Sequence, residues 1–139
     1  MNSPTGNFIR LSTDQFAERD RLEATRELFG RAIIKVQFEP LPDIPFAMDL
    51  VMRALPDFGL SSGTTSAMNC IFAPQLIDSD DLILTVALAG GGVFHEYGRE
   101  AQIGEGAAAL VRNTDDGNFC IHSSSRLITF RFPFSRIAL

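Results

Sequence analysis

The segment at residues 81–112, DLILTVALAGGGVFHEYGREAQIGEGAAALVR, decides the fold class. It opens with a run of eight residues, Leu82–Ala89, in which Thr85 is the one polar side chain. A run of this length and composition is typical of a strand that is covered on both faces. Glycines then divide the segment into three further short strands, because glycine adopts positive φ without strain. Short strands joined by glycine turns predict a β-sandwich or a β-barrel.

An amphipathic helix is predicted before most of the strands. Ser12, Thr13 and Asp14 are suitable N-cap residues, because a side-chain oxygen can accept a hydrogen bond from a free amide of the first turn. Gly30 stands where a C-cap is expected. The pattern predicts a helix of about 12 residues lying outside a sheet. Its buried stripe is formed by Leu22, Thr25, Leu28, Phe29 and Ala32.

Alternating hydrophobicity predicts the remaining strands. Residues 46–55 alternate most regularly, with Phe46, Met48, Leu50 and Met52 on one face. Further strands are expected at 32–39, at 68–72, at 118–122 and at 126–132, and the small, polar residues 60–66 are expected to form an exposed strand. The residues predicted to form the core are Phe46, Leu50, Leu84, Val86, Leu110, Ile128 and Phe130.

The central segment resembles the amino-terminal sensing domain of AraC/XylS-type transcriptional regulators. The shared pattern is an apolar strand, Gly-x-Gly, a short strand, Gly98-Arg99-Glu100, Gly104-x-Gly106 and a second apolar strand. The resemblance continues at residues 11–14, 19–32, 39–42, 53–56, 125–127 and 131–133, so it covers nearly the whole chain. Two departures stand out: Ala107 replaces the acidic residue that relatives tend to carry after the glycine turn, and residues 68–72 lack the arginines often found there.

The resemblance implies a mainly β, cupin-like β-barrel of the jelly-roll type, with one amino-terminal helix packed outside. It implies a flexible arm at residues 1–12, a sensing domain at residues 13–139, and a DNA-binding helix-turn-helix domain that this sequence does not contain. The implied function is to bind a small effector in the barrel and to control that absent domain. A small metal-dependent cupin enzyme and a dimerisation module without a ligand are the alternatives.

Composition limits the partners of this chain. Its 139 residues are enough for one domain, and 45% hydrophobic with 21% charged residues is typical of a globular protein. The net charge of −5 argues against direct nucleic acid binding, which requires a basic surface. The sequence shows neither a secretory signal pattern nor an apolar run long enough to cross a bilayer, so we expect a cytoplasmic protein without a membrane partner.

Residue chemistry gives little support for catalysis. A cupin metal site requires several histidines and a carboxylate, whereas this chain has two histidines, of which His95 is followed by Glu96 and Tyr97 rather than by a second histidine at 97. A triad of His95, His122 and Glu100 is the remaining metal-binding alternative. Cys120 and His122 share a strand face, as a thiolate pair would, but we interpret the two cysteines, Cys70 and Cys120, as reduced structural residues. We therefore predict no enzymatic activity and no cofactor.

A ligand pocket inside the barrel is the favoured kind of site. Polar side chains on strands could orient an anionic or polar effector there. The face of residues 93–97 that points inward stays open, because a register shift of one residue reverses it. With no long exposed apolar segment in view, a monomer or a weak homodimer is expected. The candidate ligand-binding residues are Arg53, His95, Tyr97, Arg112 and Arg131.

Overall fold

The structure, a computed structural model, describes residues 8–76, 79–113 and 117–136. Two antiparallel sheets face each other. The six-stranded sheet has the order β1-β3-β4-β11-β6-β9 and the five-stranded sheet the order β2-β5-β10-β7-β8. The strands are β1 Phe8–Ser12, β2 Gln37–Pro40, β3 Met48–Leu55, β4 Phe58–Thr65, β5 Met68–Phe72, β6 Leu82–Ala89, β7 Gly92–Glu96, β8 Arg99–Ile103, β9 Ala108–Arg112, β10 Gly117–Ile121 and β11 Ser125–Phe132.

This arrangement confirms a mainly β, jelly-roll cupin-like fold with one α-helix. The two sheets do not close into a single barrel, since each keeps its own edge strands. Hairpins connect β3 to β4 and β7 to β8. At the second hairpin Tyr97 and Gly98 both take positive φ, 52° and 72°, the conformation that a two-residue hairpin turn of type I′ requires. Among the described residues, no helix is both long and apolar enough to span a membrane.

Helix α1, Arg21–Ala32, has the predicted position and length of 12 residues. It buries Thr25, Phe29 and Ala32 and leaves its charged side exposed. The predicted C-cap at Gly30 is wrong, because the helix continues to Ala32 and the amide of Ile33 donates to the carbonyl of Phe29. The apolar residues that follow, Ile33, Ile34 and Val36, are buried in the core outside any strand. The strand predicted at 32–39 is therefore wrong at its start, because the observed strand is β2, Gln37–Pro40.

The predicted arm at residues 1–12 needs a correction. Residues 8–12 form β1, an edge strand that pairs along its whole length with β3. Leu11 is fully buried, and Arg10 forms an ion pair with Asp49 across the two strands at 3.1 Å. Cross-strand pairing and the burial of one leucine thus hold this segment in the sheet, and residues 1–7 lie outside the described residues.

Strand β4 is not the exposed strand that its composition predicts. It lies between β3 and β11 in the middle of the six-stranded sheet. Ser61 and Thr65 are 3% and 4% exposed. Small polar side chains are buried here because the facing sheet supplies the bulk, so low hydrophobicity was a misleading sign of exposure.

The predicted core register is wrong for the last strands. Leu50 is buried, and Phe46 packs partly buried against the core. The other five predicted core residues lie on the outer face of the six-stranded sheet, because the buried set alternates with them: Ile83, Thr85 and Ala87 point inward. A shift of one residue exchanges the faces of a strand, and both sets here are apolar enough to mislead. The misplaced residues are Leu84, Val86, Leu110, Ile128 and Phe130.

The expectation that β6 is covered on both faces is wrong as well. Leu88 on its outer side is 43% exposed, and Leu110 on neighbouring β9 is 56% exposed. The six-stranded sheet therefore has one face in the core and an outer face on which apolar residues of β6 and β9 are partly exposed.

Candidate functional site: a cavity between the sheets

A cavity of about 70 Å³ lies between the two sheets. Three layers of the fold contribute to its wall: the inner faces of both sheets, and helix α1 through Phe29. The two sheets supply different chemistry, since the six-stranded sheet contributes hydroxyl groups and the five-stranded sheet contributes phenyl rings.

The hydroxyl wall is one cross-strand row. Ser61 of β4 is directly opposite Thr129 of β11, which is directly opposite Thr85 of β6. Side chains at such positions are neighbours, with Cβ atoms about 4.5–5.5 Å apart. Gly63, two residues from Ser61, widens the space because it has no side chain. A Cβ atom at Gly63 would collide with the carbonyl oxygen of Asp49, so the backbone itself keeps this position small.

The hydroxyls of this row are not engaged by other described residues. Thr65, at the end of the cavity, donates to the carbonyl of Ser66. None of the side-chain hydrogen bonds between described residues uses the hydroxyl of Ser61, Thr85 or Thr129. The fully enclosed polar atoms that lack a partner in the described chain are Thr25 Oγ1 and Arg53 Nε, so the three hydroxyls border open space rather than packed atoms.

The opposite wall is aromatic. The rings of Phe94 and Phe119 stack with their centroids 4.3 Å apart and an interplanar angle of 5°. Phe72 continues the stack beside Phe94, at 6.4 Å and 10°. At the helix end, Phe29 meets Phe38 edge to face at 5.6 Å. The stacked rings present flat apolar surfaces at a fixed position, because neighbouring strands hold them in register.

The cavity is electrically neutral. Its lining, as far as the structure describes it, contains no side chain with a formal charge. Cys70 lines it as well, and burial, with a smaller contribution from Cys120, raises the pKa of the Cys70 thiol to about 12. That thiol is therefore protonated at neutral pH and is a poor nucleophile.

The arginines predicted as ligand-binding residues lie away from this cavity. Arg53 projects from the outer face of β3 and covers the ring of Phe8 at 5.3 Å. Arg112 lies on the outer face of β9, over the ring of Phe134 at 4.1 Å and 3.6 Å from Asp80. Arg131 points between the sheets at one end, where its guanidinium lies 3.2 Å from Asp81 and donates to the carbonyl of Leu55.

The other two predicted residues lie at the β7–β8 hairpin. Tyr97 is in its turn and is 70% exposed. His95 lies 3.6 Å from Glu100 of β8; the His95 side chain is half-buried and that of Glu100 is largely exposed. His95 and Arg112 line one small cavity of about 10 Å³, with Tyr97 in the turn after His95, whereas Arg53 and Arg131 lie elsewhere. The five predicted residues do not form one site, and their binding of a ligand stays a prediction.

The residues of the alternative metal triad meet only in part, since Glu100 lies beside His95 but His122 does not. His122 follows the far end of β10, whereas Asn118 at the start of β10 is opposite His95, so the two histidines lie at different ends of the strand. No group of three potential metal ligands occurs in the described residues. Cys120 is partly exposed, on the opposite side of β10 from buried Phe119.

Sequence reasoning missed the residues that line the cavity. The available signal was in β4, where Ser61, Gly63 and Thr65 recur at every second position and are all small. On a central strand, such a row marks the place where the core has room. The signal was unreadable without knowing that β4 is central, which depends on pairing with β11, some 65 residues later in the chain.

The fold and cavity define a class: a two-sheet, cupin-like domain with an uncharged internal cavity. No protein-family model matches the chain. Comparison with curated protein sequences finds no match either. The chain is similar to several solved structures, and this similarity shows its fold.

One similar structure is that of the AraC-like transcriptional activator CuxR, with a TM-score of 0.76 and 11% identity over 92% of this chain. This chain spans about half of that protein, 48% of its length. A putative ethanolamine utilization protein Q from Salmonella typhimurium LT2 is similar over 71% of this chain and 80% of its own, with 12% identity and a TM-score of 0.52. The resemblance expected from the sequence is thereby confirmed at the level of the fold.

Proposed function

We propose that this chain is the sensing domain of an AraC-type transcriptional regulator and that it binds a small effector between its sheets. The observation that supports this most strongly is the likeness to an AraC-like activator over 92% of the chain. The cavity supports the sensing part of the proposal, because ligand sites are concave, mostly apolar and equipped with few polar groups.

Helix α1 is the element best placed to transmit the state of the cavity. Phe29 belongs to the cavity wall and also anchors the helix through its contact with Phe38. An occupant that displaces Phe29 would move the helix, whose other side is exposed and charged. A ligand biases such a change only by the difference in its affinity for the two states.

DNA binding would belong to another part of the regulator. The net charge of −5 gives this chain no electrostatic attraction for phosphates. We expect the purified chain not to bind duplex DNA at physiological salt. Micromolar, salt-sensitive binding in a fluorescence anisotropy assay would contradict this part of the proposal.

The domain is proposed to act without catalysis. The rival function is that of a small metal-dependent cupin enzyme, for which the residues available are His95, Glu100 and His122. Metal analysis by mass spectrometry separates the two proposals. Stoichiometric iron, manganese or zinc that persists through dialysis would favour the enzyme.

We also propose a weak homodimer, formed through the outer face of the six-stranded sheet. The sequence shows no long exposed apolar segment, but the fold places the exposed side chains of Leu88 and Leu110 on neighbouring strands of this face. The apolar part of this face crosses the four strands β4, β11, β6 and β9, which at about 4.8 Å spacing and about 20 Å length give roughly 400 Å² per copy. Two copies would bury about 800 Å², which is below the roughly 1,000 Å² of a stable interface, so the dimer is expected to be weak. Sedimentation velocity from about 1 to 200 μM tests this, and a pure monomer at every concentration would contradict it.

A thermal-shift screen tests the sensing function. Neutral alcohols and carbonyl compounds, organic acids, and sugars are added as three separate classes, since a ligand that binds the folded state raises its melting temperature by mass action. We expect at least one class to raise it in a saturable manner. Absence of stabilisation by all three classes would contradict the sensing function.

A further inference from the structure

We infer that the cavity selects a neutral ligand with a small apolar body and one hydroxyl or carbonyl group. This inference rests on the proposed sensing function and specifies the chemical class of the effector. It departs from the anionic or polar effector expected from the arginine-rich set of sequence candidates.

The uncharged lining of the cavity disfavours ionic ligands. An ionised group that enters an apolar cavity without a partner loses its hydration and gains nothing equivalent. The cavity-lining residues that the structure describes carry no charge. The guanidinium nearest to the interior, that of Arg131, is already engaged by Asp81 and by the carbonyl of Leu55. Organic acids and amines are therefore disfavoured.

The hydroxyl row favours one polar group on the ligand. Ser61, Thr129 and Thr85 form a single line on one wall, so they can meet one ligand oxygen as donors or acceptors. A sugar has hydroxyls on all sides, and those turned towards the phenyl wall would remain unsatisfied. Each such buried group costs about 1–3 kcal/mol, which disfavours sugars.

The opposite wall fixes the ligand body. The stacked rings of Phe94 and Phe119 offer an apolar surface facing the hydroxyls. An apolar cavity of about 150 Å³ accepts benzene. At about 70 Å³, roughly half of that volume, this cavity suits an apolar body of about three to four non-hydrogen atoms.

A matched series of probes tests the class directly. The probes are 1-butanol, 2-butanone, butyrate, butylamine and glycerol, which are similar in size and differ in charge and in the number of polar groups. Binding is followed by NMR through the methyl signals of Thr85, Leu127 and Thr129, all of which line the cavity. We expect saturable shifts of these signals with 1-butanol and 2-butanone, and at least tenfold weaker effects with the other three.

A variant pair tests the role of the hydroxyl row. Thr129→Val keeps the shape of the side chain and removes the hydroxyl, so we expect about three- to tenfold weaker binding of 1-butanol. Thr64→Val is the control, because Thr64 lies on the exposed side of β4. If Thr129→Val fails to fold, Ser61→Ala with Ser62→Ala as its control asks the same question.

The outcomes separate the inference from the proposed function. Butyrate or glycerol binding in the cavity as tightly as 1-butanol would overturn the neutral class and leave the sensing function standing. Unchanged affinity in Thr129→Val and in Ser61→Ala would overturn the role of the hydroxyls. Absence of binding by all five probes, together with a negative thermal-shift screen, would overturn both the inference and the sensing function.

Discussion

The two faces of the six-stranded sheet differ in a way that reverses the usual expectation. The inner face carries the row Ser61, Thr129 and Thr85, which is small and polar. The row beside it on the outer face crosses β4, β11, β6 and β9 and is wholly apolar: Leu60, Phe130, Leu84 and Leu110. Hydrophobicity alone would place the second row inside.

In this sheet, the size and shape of a side chain decide whether it is buried, as well as its polarity. Five phenyl rings project into the space between the sheets from the helix and the five-stranded sheet. Large residues on both facing walls would overfill that space, and overpacking is destabilising. Small hydroxyl-bearing residues fit opposite the rings and leave a cavity, while their neighbours along the strands, Leu60, Phe130 and Leu84, turn outward.

Truncating the aromatic wall should produce the largest effect. Phe119 is 4% exposed and stacks on Phe94. We expect Phe119→Ala to lower the free energy of unfolding by about 3–5 kcal/mol. Its control, Cys120→Ala, changes the next residue on the opposite side of the strand and should cost less than about 1 kcal/mol. Urea unfolding measures both free energies. Equal losses of stability in the two variants would show that β10 does not have one buried and one exposed face.

A pair on β6 tests the orientation of the sheet itself. Ile83 is 3% exposed on the inner face, whereas Leu84 is half-buried on the outer face. Ile83→Ala should cost about 2–4 kcal/mol and Leu84→Ala about half as much, because partial exposure reduces the area lost. A greater loss in Leu84→Ala would reverse the assigned faces.

Two ion pairs extend the comparison to charged groups. The Arg131 and Asp81 side chains are only 14% and 16% exposed, whereas the Arg112 and Asp80 side chains are 43% and 59% exposed. Arg131→Ala should cost about 2–3 kcal/mol, because it leaves a largely buried carboxylate without its partner. Arg112→Ala should cost at most about 1 kcal/mol. Thermal unfolding at pH 7 checks both, and a neutral effect of Arg131→Ala would contradict the structural role of the inner pair.

The smallest effect on stability is expected at Leu110. Its side chain is 56% exposed, so Leu110→Lys should alter the free energy of unfolding by no more than about 0.5 kcal/mol. The same change places a charge in the proposed dimer face, and it should abolish self-association in sedimentation velocity. Self-association equal to that of the original chain would locate the interface elsewhere.

Much of the fold was predictable from local pattern. The strands Met68–Phe72 and Leu82–Ala89 have their predicted bounds, and α1 has its predicted length. The shared face of Met48, Leu50 and Met52 is also confirmed as buried. These features depend on composition and periodicity within about 12 residues, which the sequence displays directly.

The candidate site was not predictable in the same way. Alternation on β6, β9 and β11 separates two faces without saying which is inner, and both faces carry large apolar residues. The prediction chose the bulkier set, Leu84, Val86, Ile128 and Phe130, and the packing of the sheets selected the other.

By itself, the sequence determined a mainly β domain, the places where most of its strands begin and end, and a net charge of −5. Tertiary structure alone decided that β4 is central, that Ser61, Thr85 and Thr129 meet in one row, and that phenyl rings face them. The physical reason is that periodicity is a local property of the chain. The order of strands in a sheet, and the choice of which sheet face points inward, depend instead on contacts between residues far apart in the chain. Those contacts are favoured when the two sheets fill the space between them well.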